Sequence, residues 1–135
     1  MKKIILCLLL SFSVSLVFAQ TKVYQLSSHI LDVSTGLPVP NVTVKLLKLN
    51  ETDNKWTSID QKITDKNGRI MDFLDKASAK KGIYKLTFLI EDYYKVNKIE
   101  TFYPFIEVVF QIKDDNHYHV PITLSPFGYS TYRGN

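Results

Sequence analysis

Chemistry in this chain is concentrated in a few side chains. Histidine occurs three times, at His29, His117 and His119, and arginine only at Arg69 and Arg133, among scattered lysines. An imidazole titrates near neutral pH, so it can act as a general base or acid. A guanidinium is a planar fork that suits a planar, oxygen-bearing ligand, whereas lysine would serve solubility alone. His117 and His119 fall on one face of an extended segment, where a His-X-His pair with a third histidine can ligate zinc. No Asp, Glu or Cys completes a catalytic-zinc pattern. Proton transfer is therefore the better functional use. The bland alternative is a set of surface histidines on a solvated sheet face.

Other chemistries find little support. There is no Gly-x-Ser-x-Gly elbow, no phosphate-binding glycine loop and no pair of carboxylates at a telling spacing. The sequons at Asn41 and Asn50 matter only in a eukaryotic secretory pathway. The aromatic group of Tyr93, Tyr94, Phe102, Tyr103 and Phe105 reads as core and interface rather than as a ligand platform.

The elements that must position the histidines read as strands. In the first, Leu26, Ser28 and Ile30 share one face, and Gln25, Ser27 and His29 share the other. In the segment 117–124, Tyr118, Val120, Ile122 and Leu124 form the apolar face, so His117 and His119 point the opposite way. Val42, Val44 and Leu46 alternate with polar residues; so do Tyr84, Leu86, Phe88 and Ile90, and again Ile106, Val108, Phe110 and Ile112. The run from Trp56 to Ile63 is polar and edge-like. Period-two patterning of β-branched and aromatic residues marks half-buried strands. Turn signals fall between them at Ser34-Thr35-Gly36, Asp65-Lys66-Asn67-Gly68, Lys81-Gly82 and Ser125-Pro126-Phe127-Gly128. Only Asp75–Lys81 and Glu91–Asn97 could be helical. Seven or eight short strands of this kind predict an all-β antiparallel sandwich.

Length and charge narrow the class. The 135 residues leave room for one domain. Met1-Lys2-Lys3, an apolar stretch from Ile4 to Phe18 and Val17-Phe18-Ala19 have the form of an export signal, too short and wrongly flanked for a spanning helix of about 20 apolar residues. Cleavage after Ala19 is expected to remove 1–19 and leave 20–135 as the domain, in the periplasm or secreted. The only cysteine, Cys7, would leave with the signal, so disulfides, cysteine-ligated zinc and cysteine nucleophiles are excluded from the mature domain. Its 15 basic and 13 acidic side chains give a net charge of +2 with no dense basic run, which disfavours nucleic acid as a partner.

The polar residues also form a family pattern. Leu26-Ser27-Ser28-His29-Ile30-Leu31-Asp32 resembles the opening strand of the transthyretin-like 5-hydroxyisourate hydrolases. Thr64-Asp65-Lys66-Asn67-Gly68-Arg69 resembles their arginine-bearing loop. His117-Tyr118-His119-Val120-Pro121 with Leu124-Ser125-Pro126 is similar to their penultimate strand. Tyr129-Ser130-Thr131-Tyr132-Arg133-Gly134-Asn135 is similar to their C-terminal signature, with Asn135 where the family usually has serine. The segment from Asp32 to Val44 alone also resembles non-catalytic modules such as carboxypeptidase-regulatory-like domains. Arg69, His119 and the tail make the distinction.

The resemblance implies a transthyretin-like (prealbumin-like) sandwich of about eight strands with one short helix at Glu91–Asn97. It implies a homotetramer with sites at the dimer–dimer interface, no cofactor and no metal. The implied reaction is ring opening of 5-hydroxyisourate to 2-oxo-4-hydroxy-4-carboxy-5-ureidoimidazoline in urate degradation. Carried over by motif, His29, Arg69 and His119 are the catalytic residues, and His29, Arg69, Tyr132 and Arg133 hold the substrate. Two rival classes are a transthyretin-type small-ligand-binding protein, expected to lack the His/Arg set and the tail, and a structural or adhesion sandwich module.

Overall fold

The computed structural model describes residues 22–134. The expected signal segment and Asn135 lie outside the described residues. Two sheets face one another across an apolar core. One contains β1 (Tyr24–Asp32), β2 (Leu37–Pro38), β5 (Arg69–Asp75), β8 (Tyr118–His119), β9 (Ile122–Ser125) and β10 (Gly128–Thr131). The other runs in the order β4 (Lys55–Ile63), β3 (Thr43–Asn50), β6 (Gly82–Leu89), β7 (Ile106–Ile112). A single helix among the described residues, α1 (Glu91–Val96), links β6 to β7. Among the described residues, no helix is long and apolar enough to cross a membrane.

The alternation read from the sequence places the core correctly. Leu26, Ile30, Val44, Leu46, Leu86, Phe88, Ile122 and Leu124 are fully buried, with Phe73 and Tyr94 among the largest side chains inside. The polar run Lys55–Ile63 is an edge strand, paired only through β3. The strand count exceeds the expected eight. Pro121 lacks an N–H and divides the penultimate run into β8 and β9, while β2 is a two-residue pairing onto β1.

Of the two segments that could be helical, the structure makes a helix of only one. Asp75–Lys81 makes a single turn, not a helix. The Asp75 carboxylate accepts the Ala77 N–H, and its carbonyl accepts those of Ser78 and Ala79. Gly82, at φ 143°, then turns the chain straight into β6. Asp favours such local side-chain bonds over continued helix.

β1 is the centre of the first sheet. It is antiparallel to β5 and β2 along one edge and parallel to β8 and β9 along the other. The strand bearing His29 therefore lies between those bearing Arg69 and His119.

Candidate active site

Three local devices bring the polar residues together. The first is a bulge between β1 and β5. Leu26 pairs with Phe73, but Ser28 pairs with Ile70 and His29 with Arg69, so β5 carries one extra residue. Without that residue His29 would face Ile70, and Arg69 would slip out of register. The bulge keeps Ile70 in the core and aims Arg69 along the same face as His29.

The second device is the turn before Arg69. The Asp65 carboxylate accepts the backbone N–H of both Asn67 and Arg69, and the Asp65 carbonyl accepts that of Gly68. Gly68 has φ +68°, and a Cβ there would lie 2.7 Å from the Ile30 carbonyl oxygen and 2.8 Å from the Val39 nitrogen. Only glycine can turn this tightly against β1. Ile30 N–H donates to the Gly68 carbonyl, which locks the turn to the strand after His29.

The third is the parallel pairing of β1 with β8, which sets Ser27 opposite His119. From it runs a continuous chain of hydrogen bonds. His117 Nδ1 is 3.0 Å from the Tyr24 carbonyl, and its Nε2 is 2.7 Å from Ser27 Oγ. Ser27 Oγ is 2.8 Å from His119 Nδ1, and His119 Nε2 is 2.8 Å from His29 Nδ1. The rings of His29 and His119 stack with centroids 4.9 Å apart.

The alternative of surface histidines on a solvated sheet face fails for His119, although His117 is exposed. His119 is only 9% exposed, and Gln25 and Ser27 are buried although they lie on the face away from the apolar core. The polar groups bury one another. The amide of Gln25 donates to the carbonyls of Asp114 and Asn116, which folds the segment before β8 over β1. The tail then covers His119: Gly134 pairs with it, and the Gly134 N–H donates to its carbonyl. A Cβ on Gly134 would lie 2.5 Å from Cδ2 of the His119 ring. Glycine in the tail is thus a condition for seating the imidazole.

Burial lowers the pKa of both His29 and His119. Arg69 adds repulsion at His29, and His29, Arg69 and His117 add it at His119. Both rings are therefore held neutral, as a base must be. Arg69 itself is exposed and sits directly opposite His29 in the strand pairing, close enough for its charge to act on both rings. The chain can accept a proton at one end beside a fixed positive charge. His29 Nδ1 and His119 Nε2 are engaged with each other, and among the described residues no three potential ligands converge.

The tail residues divide. Gly134 reaches His119. The Arg133 guanidinium lies 4.9 Å from the Tyr118 ring centroid, on the other face of β8 from His119. Tyr132 is exposed and lines a groove with Arg133, Thr131, Val108 and Phe110. Within one chain, no hydrogen bond or ring contact among the described residues joins either of them to the histidines. Sequence reading assigned His29, Arg69 and His119 to catalysis, offered His117 only as a possible zinc ligand, and left Ser27 without a role. Their signal was present, since both share the face of a named histidine.

Comparison with known proteins places these features in context. Residues 26–134 match the model of the HIUase/Transthyretin family. A 5-hydroxyisourate hydrolase of Salmonella dublin is 45% identical over 111 residues, which is 82% of this chain and 80% of the relative. The solved 5-hydroxyisourate hydrolase of Klebsiella pneumoniae superposes with a TM-score of 0.70 at 35% identity, over 82% of this chain and 98% of that one. The transthyretin of Sparus aurata superposes with a TM-score of 0.77 at 29% identity, covering 83% of this chain and 97% of that one.

Proposed function

The chain belongs to the HIUase/transthyretin family, and from that premise we propose that it hydrolyses 5-hydroxyisourate, opening the six-membered ring to 2-oxo-4-hydroxy-4-carboxy-5-ureidoimidazoline. Backbone similarity does not separate a hydrolase from a ligand carrier, because the two kinds of solved relative superpose about equally well. One observation carries the enzymatic reading. Two neutral histidines are joined at 2.8 Å and held beside Arg69 by the bulge in β5.

The reaction needs what this site offers. Water must lose a proton as it attacks a ring carbonyl, and the carbonyl oxygen becomes anionic. The histidine pair supplies the base. Arg69 binds the planar, anionic substrate and stabilises the developing oxyanion. No metal takes part in this scheme.

Tyr132 and Arg133 complete the substrate site from the tail of a neighbouring subunit in a homotetramer, with sites at the dimer–dimer interface. Their separation from the histidines within one chain supports that assignment. Export follows from the N-terminal signal, with residues 20–135 as the mature domain in the periplasm or secreted.

The test generates 5-hydroxyisourate in place with urate oxidase and follows its absorbance decay with and without the protein. Faster decay that survives a chelator supports metal-free hydrolysis. A decay no faster than the spontaneous one overturns the proposal. Sedimentation reports the tetramer, and N-terminal sequencing of the exported protein reports the cleavage site.

A further inference from the structure

We propose that His117 and Ser27 are positioning residues: they fix the direction of the protons in the histidine chain and leave Nε2 of His29 as the atom that takes the proton from water. The catalytic part rests on the hydrolase reading. The proton arrangement stands on geometry alone.

The direction is set at the far end. The Tyr24 carbonyl can only accept, so His117 Nδ1, 3.0 Å away, carries the hydrogen. In a neutral ring Nε2 then holds a lone pair, and it accepts from the Ser27 hydroxyl at 2.7 Å. Having donated its one hydrogen, Ser27 Oγ faces His119 as an acceptor, so His119 Nδ1 donates across 2.8 Å. The same reasoning makes His119 Nε2 an acceptor and His29 Nδ1 its donor, again at 2.8 Å. His29 Nε2 is left with a lone pair and no protein hydrogen bond among the described residues. The opposite direction would set a lone pair of His117 against the Tyr24 carbonyl, unless residue 117 donated at both ends.

All three rings are thereby held with hydrogen on Nδ1, whereas a free histidine side chain prefers it on Nε2. The lowered pKa of His29 and His119 is consistent with neutral rings. In the reaction, the water oxygen bonds to the ring carbonyl carbon while its proton passes to His29 Nε2. That proton leaves with the ring nitrogen when the C–N bond breaks, and the new carboxylic acid loses its own proton to solvent. The positive charge formed on His29 in between is stabilised by the lone pair of His119, which in turn is aligned by Ser27 and His117.

The experiment exploits the fact that the chain has only three histidines. Nitrogen-15 NMR of the full chain, labelled at the histidine ring nitrogens and held slightly above neutral pH, reads each tautomer directly. The expected spectrum has hydrogen on Nδ1 of all three rings. Hydrogen on Nε2 of His29 or His119 overturns the proposal, whatever the activity. His117→Lys donates only, so it should reverse the chain, place hydrogen on Nε2 of His29, and lower kcat roughly ten- to a hundredfold with little change in KM. His117→Gln, whose amide oxygen can accept from Ser27, should recover most of that loss. A lysine variant with wild-type kcat and an unchanged spectrum removes His117 from the mechanism. If the lysine variant fails to fold, the wild-type spectrum still decides. A protein with the expected spectrum that does not accelerate 5-hydroxyisourate decay refutes the hydrolase reading and leaves the proton arrangement standing.

Discussion

The outward faces of β1 and β6 are built from similar materials and behave in opposite ways. On β6, Lys85 pairs with Glu107 at 2.9 Å and lies over the Trp56 ring at 4.6 Å. The Lys85 side chain is 13% exposed but Glu107 is 40% exposed, so water still reaches the carboxylate and can stand in for a lost partner. On β1, Gln25, Ser27 and His29 also point away from the apolar core, yet Gln25 and Ser27 are buried and hydrogen-bonded to other protein groups. An ion pair that water still reaches contributes little whether made or broken. Ser27 and His119 are both buried, so losing either strands the other. Polarity alone therefore does not mark the site; polarity withdrawn from water does.

The largest effect that would sharpen this contrast is expected at His119. Replacement by Asn should lower kcat by ~10²–10⁴, as for loss of a general acid–base partner. It should also destabilise the fold by about 1–3 kcal/mol, because Ser27 loses its buried partner. Kinetics and urea melts check the two separately, and a variant with unaltered stability would mean that the buried chain is not cooperative.

Gly134→Ala comes next. The added methyl must push either the tail or the His119 ring aside. The expected loss in kcat/KM is roughly tenfold or more, in line with the cost of misplacing a catalytic group. Equal activity would show that the tail yields freely and does not seat the ring.

Arg69→Lys keeps the charge and loses the fork. Losing a charge-assisted contact costs roughly 1.5–3 kcal/mol, or about ten- to a hundredfold in kcat/KM. Lysine performing as well as arginine would reduce Arg69 to long-range attraction.

Acid should weaken the fold through the same histidines. Their folded pKa lies below the ordinary 6.5, so the unfolded chain binds protons first as pH falls. Stability is then full above the unfolded value and declines as pH drops from it towards the lowered folded values. The decline in melting temperature should be shallower in His119→Asn than in the wild type.

The smallest effect belongs to β6. Lys85→Gln should change stability by about 1 kcal/mol and leave kcat untouched, because Glu107 is 40% exposed and keeps its bond from Thr87. A larger loss would show that the outer face of β6 depends on its partners as strongly as the buried face of β1 does.

Much of this was legible in the residues themselves. Period-two alternation located the core of both sheets, since every second residue of a strand must face the same way and apolar ones seek the inside. It also put His29 with Ser27, and His117 with His119, on shared faces. Asp65-Lys66-Asn67-Gly68 marked a turn, and α1 was expected at Glu91–Asn97 and found at Glu91–Val96. What a one-dimensional pattern could not carry is which strand lies beside which. The parallel pairing of β1 with β8 brings together residues about ninety positions apart, so Ser27 meets His117 and His119 only after the chain has closed. The bulge that aims Arg69 at the face of His29 depends on the register of β1 against β5, which a single extra residue decides. Burial of the polar face likewise comes from the segment before β8 and the tail folding over it, an outcome of packing between distant segments rather than of any local preference. Residue types thus determined what chemistry was available and which face carried it, while tertiary pairing decided that His119 would be buried, linked to Ser27 and His29, and, like His29, held below its ordinary pKa.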